Sequence, residues 1–296
     1  MGREGTAVQM GGAVAGLLTK WFTFSKKERS LLIICGISAG FSSIFGTPWA
    51  GTIFSLEVLA LSSFSLVGLL PSLMTAFWAN SVATFLGASH TRYPIGEIPA
   101  WSFKLFFYLI IFGLLFGLTS RLFSQSLHFL KKLGQTYCPN PLIRIGLGSL
   151  IVVMLIFNFH GLRYSGISLE LLRDAFNGQA APFDFMYKLA LTVLSLGSGF
   201  QGGEVTPLFE IGATLGSNLA LLSDLPIGFV AALGFIGVFA GASNTPVASF
   251  VMGVEIFGFD AALSMLLICL LSYSLSGRRG IYTSQNIVKG KFNYFI

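Results

Sequence analysis

Apolar residues recur in long runs with few charges, at about 5–19, 31–64, 66–88, 105–123, 142–159, 186–198, 205–222, 227–241, 246–258 and 261–275. Runs of this kind read as helices surrounded by lipid or by other helices. Several are too short to span, since fifteen helical residues rise about 22 Å against a hydrocarbon core of about 30 Å. They predict half-helices or broken ones. Irregular backbone survives at membrane depth only where protein or a watery cavity satisfies its polar groups, so the breaks point to a transport path. The expected fold class is an all-α polytopic membrane protein of broken and tilted helices.

Composition sharpens this. Of the 296 residues 54% are hydrophobic and 10% charged, against about 25% charged in an average soluble domain, and the mean hydropathy is +0.78. An ordinary soluble enzyme is excluded, and the lipid bilayer is the expected surroundings. The net charge of +6 does not imply nucleic acid, because the basic residues sit between apolar runs at Lys20 to Arg29, Lys131-Lys132 and Arg278-Arg279. Membrane topology and anionic headgroups account for them there, and Arg278-Arg279 read as a helix-end anchor. Cys35, Cys138 and Cys269 are widely spaced, and His90, His128 and His160 form no ligand-spaced pair, so no disulfide framework, metal site or cofactor is expected. Met1 to Thr6 fit the pattern for myristoylation of Gly2, but the glycines have a better explanation in a repeat. No pattern of a removable signal peptide is visible.

Residues 2–16, GREGTAVQMGGAVAG, align without a gap on residues 202–216, GGEVTPLFEIGATLG, with identities at Gly2/Gly202, Glu4/Glu204, Thr6/Thr206, Gly12/Gly212, Ala13/Ala213 and Gly16/Gly216. A second pair follows in the same order: Thr47-Pro48-x-Ala50 with Glu57, and Thr245-Pro246-x-Ala248 with Glu255. Two blocks in matching order predict a duplicated membrane protein. Residues 1–100 read as a partial first repeat, 101–140 as a connecting helix and loop, and 141–296 as the second repeat. The second copy has an apolar span, 142–159, ahead of its first block, whereas the first copy has only Met1 there. The expectation is a chain that begins inside its first repeat.

Each first block is a glycine-rich loop running into an apolar helix, which aims backbone N–H groups out of a helix N-terminus and suits an anion. Glu4 and Glu204 would compete with that anion for the donors, and an ionisable group within a membrane protein is a functional candidate. Tyr282 offers a phenolic donor. Glu57 and Glu255, at equivalent positions inside apolar helices, read as structural carboxylates that cap or pair with backbone. Phe200 and Phe209 flank the second loop and could present ring edges to an anion.

These residues resemble the CLC chloride channels and proton-coupled anion antiporters. GREGT at 2–6 is similar to the family's GREGP or GKEGP signature, GGEVTP at 202–207 to its GxFxP anion-binding loop, Gly51 to Glu57 to its GTLFALE stretch, and Ile281-Tyr282 to the segment carrying its central tyrosine. The resemblance runs along essentially the whole chain. It implies an inverted-repeat fold, here with an incomplete first repeat, and a homodimer with one anion pathway per subunit. Anion-binding candidates are Gly2, Arg3, Gly5, Thr6, Gly203, Glu204, Val205, Thr206 and Tyr282, with Glu4 and Glu204 as gating and proton-coupling groups.

Thr6 stands where the common signature has Pro, and Glu204-Val205-Thr206 replace an apolar residue, Phe and usually Ala. Val58 stands where many chloride/proton antiporters carry a second, proton-transferring Glu. This combination is similar to the fluoride-exporting bacterial branch, so fluoride/proton antiport in a bacterial inner membrane is expected, with Thr206 and Tyr282 as side-chain donors. The family's earlier loop, which supplies a central Ser or Met, has no counterpart here. Chloride channel or chloride/proton antiport activity is the nearest alternative; a non-transporting fragment and an intramembrane enzyme are the others, the last without a supporting motif.

Overall fold

The computed structural model describes residues 4–59, 66–91, 93–158, 161–282 and 285, and the side chains of all of these except Glu4, Leu59 and Leu66. Among the described residues the chain forms twelve α-helices. The first group is α1 (Glu4–Trp21), α2 (Lys26–Phe45), α3 (Pro48–Leu59) and α4 (Leu69–Phe85). After a loop come α5 (Phe103–Tyr137), α6 (Pro141–Asn158), α7 (Leu169–Phe176) and α8 (Asp184–Gly197). The last group is α9 (Val205–Ser223), α10 (Ile227–Ser243), α11 (Pro246–Phe257) and α12 (Ala262–Leu275).

Four of these, α2, α5, α6 and α9, are long and apolar enough to cross a membrane. Their surroundings differ: α6 is almost wholly exposed on the outside of the helix assembly, whereas most of α9 is buried within it. A polytopic membrane protein needs both, a lipid-facing rim and an interior that lipid does not reach. With 12 residues each, α3 and α11 are about 18 Å long, too short to cross the hydrocarbon.

The apolar run 31–64 does not form one helix. It breaks between α2 and α3, where Gly46 takes a left-handed φ of 69° and donates its N–H to the Ser42 carbonyl, and Pro48 opens the next helix. The second half breaks at the matching place: Asn244 takes φ 55° after α10 and Pro246 opens α11. Hydropathy alone does not show the first of these breaks, since Phe45, Gly46, Thr47 and Pro48 are apolar or small, whereas the second falls between the apolar runs 227–241 and 246–258.

Paired helices touch through glycine. A side chain on Gly11 would overlap the Gly36 carbonyl between α1 and α2, and one on Gly212 would overlap Gly234 between α9 and α10. Hydroxyls join further pairs: Ser38 donates to the Ser72 carbonyl at 2.9 Å and Ser42 to Ala76 at 2.7 Å. Ser120 reaches Val238 at 2.8 Å and Ser272 reaches Gly237 at 2.6 Å. Close backbones and interhelical hydrogen bonds are how helices associate where lipid removes most of the hydrophobic drive. α5 buries Leu105, Leu109, Phe112, Phe116, Phe123 and Leu127, one stripe at helical spacing. At 35 residues it is about 52 Å long, so it is tilted or runs past the hydrocarbon.

Candidate functional site

The N-termini of α1 and α9 meet. Gly5, in the first turn of α1, lies so close to Gly203 that a Cβ on it would be 3.1 Å from the Gly203 Cα and 3.4 Å from the Glu204 nitrogen. A side chain at Gly5 would have to push the α9 backbone away by a few tenths of an ångström, so glycine favours this approach, which brings the two sequence-related blocks together at one point. Beside the junction is a cavity of about 350 Å³ lined by Gly5, Val8, Gln9 and Gly12 of α1, Ile37 of α2, Phe54 and Val58 of α3, Lys131 of α5, and Glu204, Ile281 and Tyr282.

Glu204 is the residue before α9, at a place where a carboxylate often caps its own helix. It makes no such cap. Its Oε1 instead lies 3.5 Å from Lys131 Nζ, with 17% of the side chain exposed. The Tyr282 hydroxyl is buried with no hydrogen-bond partner among the described residues, its ring edge-on to Phe54 at 6.0 Å. A buried hydroxyl without a partner is rare in a native fold and marks a place for an acceptor. The cavity therefore combines a phenolic donor, an ammonium, a carboxylate and the dipole of α9, with Phe54, Val58 and Ile281 excluding competing polar contacts. Such a set can hold a small anion or let a carboxylate take its place.

The sequence-predicted residues do not all converge here. Gly5, Glu204 and Tyr282 line the cavity, Gly203 packs against Gly5, and Val205 is fully buried in the first turn of α9. Thr6 is exposed and does not line the cavity: α1 turns residues 5, 8, 9 and 12 toward it, and residue 6 lies about 100° round the helix from residue 5. Thr206 is buried but lines a different cavity, of about 160 Å³, with Phe45, His90, Tyr93 and Phe209 among its walls. Thr206 and Tyr282 thus face separate spaces on either side of one helix turn. Phe209 stacks on Phe235 at 4.0 Å and meets Phe239 edge-on at 5.1 Å, whereas Phe200 lines neither cavity. Gly2, Arg3 and the Glu4 side chain lie outside what the structure describes.

Lys131 escaped the sequence reading, which took it for a topological charge. The available signal was spacing: Leu127, Leu130 and Lys131 continue the buried stripe of α5 past its apolar run, so this lysine points inward.

Glu57 and Glu255 are structural, as their positions suggested, and each serves the other's helix. Glu57 of α3 accepts the Val247 and Ala248 N–H groups at 3.2 and 2.8 Å. Glu255 of α11 accepts those of Trp49 and Ala50 at 3.0 and 2.7 Å. Another buried charge pair was not foreseen. Lys188 Nζ of α8 is 2.8 Å from Glu210 Oε2 of α9, with side chains 1% and 0% exposed. The same ammonium donates to the Tyr164 carbonyl at 3.0 Å and Ser168 Oγ at 2.9 Å.

The family model described as voltage gated chloride channel matches residues 1–277. Over 298 aligned residues the chain is 43% identical to the chloride/fluoride channel protein of Pseudomonas syringae pv. tomato, covering 98% of this chain and 66% of that protein. It is 25% identical to the H(+)/Cl(-) exchange transporter ClcA of Vibrio vulnificus, covering 86% of this chain and 58% of the relative. Among solved structures, a CLC-type fluoride/proton antiporter superposes with a TM-score of 0.92 at 41% identity, over 96% of this chain and 72% of that one. A slow cyanobacterial Cl-/H+ antiporter shares the fold, with a TM-score of 0.77 at 21% identity. The chain spans about two thirds or less of the length of these curated relatives. With its helix order, its broken helices and the paired N-termini of α1 and α9, the chain belongs to the voltage-gated chloride channel, or CLC, family of multi-pass integral membrane proteins.

Proposed function

We propose that this protein carries a small anion across a bacterial plasma membrane against a counterflow of protons, that fluoride is preferred to chloride, and that it works as a homodimer with one pathway in each subunit. The observation that carries this reading is the Tyr282 hydroxyl, buried without a hydrogen-bond partner among the described residues, sharing a cavity with Glu204 where two helix N-termini meet. A small anion needs short, strong donors to replace its water, and a carboxylate that vacates the site when protonated ties proton movement to anion movement. The relatives named as a chloride/fluoride channel and a fluoride/proton antiporter support the choice of fluoride.

On this reading Glu4 and Glu204 gate the path, and the backbone around Gly2, Arg3, Gly5, Gly203 and Val205 contributes to the anion site. An anion crossing the first turn of α9 meets Tyr282 and Thr206 in succession, because they face different cavities. The two repeats, 1–100 and 141–296, are joined through 101–140.

The test is reconstitution into liposomes with electrode recording of fluoride, chloride and proton movement. Fluoride release should exceed chloride release, Glu4→Gln should abolish proton movement driven by a fluoride gradient, and Thr206→Ala should narrow the preference. Equal fluoride and chloride rates favour a general chloride carrier, and no release of either favours a non-transporting chain.

A further inference from the structure

The last carbonyls of an α-helix have no donor within the helix. At the end of α2 the chain supplies one itself, the Gly46 N–H turning back to the Ser42 carbonyl. α10 ends differently. Its chain leaves on Asn244 at φ 55°, and two of its final carbonyls accept from the segment that follows α12. The Ile281 N–H donates to the Ala242 carbonyl at 2.8 Å, and Gln285 Nε2 donates to the Ser243 carbonyl at 2.6 Å.

These two donors straddle Tyr282, one residue before it and three after. The Gln285 N–H also donates to the Tyr282 carbonyl at 3.3 Å, closing the turn. Asn244 Nδ2 approaches Gln285 Oε1 at 3.5 Å and braces that side chain. The fit is close, since a Cβ on Gly280 would come within 2.6 Å of Asn244 Nδ2 and 2.8 Å of Gln285 Oε1. Both amides are buried, where bulk water does not make good a lost hydrogen bond. The two helix breaks thus differ at their left-handed residue. The first has glycine and caps itself, whereas the second has asparagine, which takes that conformation at small cost and carries an amide besides.

Tyr282 offers no polar anchor of its own. Its hydroxyl has no hydrogen-bond partner among the described residues, and its ring meets Phe54 edge-on. Where the hydroxyl stands in the cavity is therefore set by ring packing and by the backbone on either side, which α10 holds. Gln285 is not among the residues that line the cavity, so its influence there passes through Tyr282.

We infer that Gln285, braced by Asn244, is a positioning residue for the Tyr282 hydroxyl, and that through this hydroxyl it sets how strongly a small anion is preferred to a larger one. The inference rests on the proposed transport function for its effect on selectivity, and on the geometry alone for its effect on the phenol. Gln285 itself does not touch the anion.

Two measurements test this. In liposomes, Gln285→Leu keeps the bulk of the side chain and removes its donor. It should lower the preference for fluoride over chloride by about threefold, no further than Tyr282→Phe does, with the unfolding temperature within about 4 °C of the parent. In the Tyr282→Phe background it should lower the preference no further, because two residues acting through one hydroxyl do not add. An unchanged preference in the single variant, or an equal loss in both backgrounds, would overturn the inference. Asn244→Gly suits the left-handed backbone and removes only the brace, so it should act in the same direction with a smaller effect. If Gln285→Leu does not fold, an unchanged preference in Asn244→Gly overturns the inference instead.

The second measurement needs no transport. With 3-fluorotyrosine incorporated in place of Tyr282, the parent in detergent should give one narrow fluorine resonance, and Gln285→Leu or Asn244→Gly should shift or broaden it. A resonance that neither variant moves would remove the positioning role whatever the flux. A parent that releases neither anion, with a resonance that depends on Gln285, would sink the transport reading and leave Gln285 as the residue that places the phenol.

Discussion

Glu57 and Glu204 each stand at the N-terminus of a helix, Glu57 reaching that of α11 from α3 and Glu204 preceding α9 in the chain. Glu57 is 8% exposed and spends both oxygens on the first N–H groups of α11. Glu204 immediately precedes α9 and gives its helix no side-chain cap, turning instead to Lys131 and a cavity. The same chemical group thus caps a helix at one place and lines a cavity at the other. The difference lies in what faces the donors. At α11 the donors look into another helix, so a carboxylate must be supplied by protein. At α9 Glu204 borders a cavity instead, and on the proposed reading a permanent cap there would occupy the ion's place.

The sharpest way to break this comparison is to neutralise Glu204. Glu204→Gln should abolish or reduce by at least about tenfold the protons moved per fluoride, since a group that cannot titrate cannot couple, while the unfolding temperature in detergent stays within about 2 °C of the parent. A large loss of stability with intact coupling would make Glu204 another structural cap.

Next in size is the Lys188–Glu210 pair, a third use of a buried carboxylate. Lys188→Met alone should destabilise by about 3–5 kcal/mol because it strands the Glu210 charge, and adding Glu210→Leu should recover most of the loss. Chemical unfolding of the single and double variants measures this; an absence of recovery would mean that the pair is not a unit. Glu57→Gln should cost less, about 2–3 kcal/mol, because an amide still accepts one of the two hydrogen bonds while the charge-assisted component is lost. Its proton coupling should be unchanged, the reverse of the Glu204 result.

The smallest expected effect is that of Tyr282→Phe. The hydroxyl has no hydrogen-bond partner among the described residues, so stability should hold to within about 0.5 kcal/mol, whereas the preference for fluoride over chloride should fall severalfold. A stability loss of 2 kcal/mol or more, on the order of a broken buried hydrogen bond, would show that the hydroxyl is bonded within the protein.

The sequence made some of this architecture legible, and physical reasons explain the remainder. The repeated Gly, Thr and Pro mark the duplication, whereas the apolar pattern separates only the second helix break, at 242–245, and runs unbroken through the first. The structural assignment of Glu57 and Glu255 was also readable, because equivalent carboxylates in apolar helices need backbone donors. Their partners were not: each donor pair is about two hundred positions away in the chain, a tertiary fact with no local signature. The phase of α1 was hidden for another reason. Its glycine- and alanine-rich first turns carry no apolar stripe to orient them, so Thr6 looked as well placed as Gly5. That Thr206 faces a different cavity from Tyr282 was also hidden, since neighbouring positions in a first helical turn diverge by about 100° per residue. Lys131 was lost among charges assigned to the membrane surface.

The reciprocal carboxylates also bear on inheritance. Glu57 completes the start of α11, and Glu255 completes the start of α3. Each stretch of gene therefore encodes a part whose complement is written in the other, and a change to either glutamate is felt first in the opposite half of the protein. Neither half can lose its glutamate, or be exchanged for one lacking it, without exposing a helix start elsewhere.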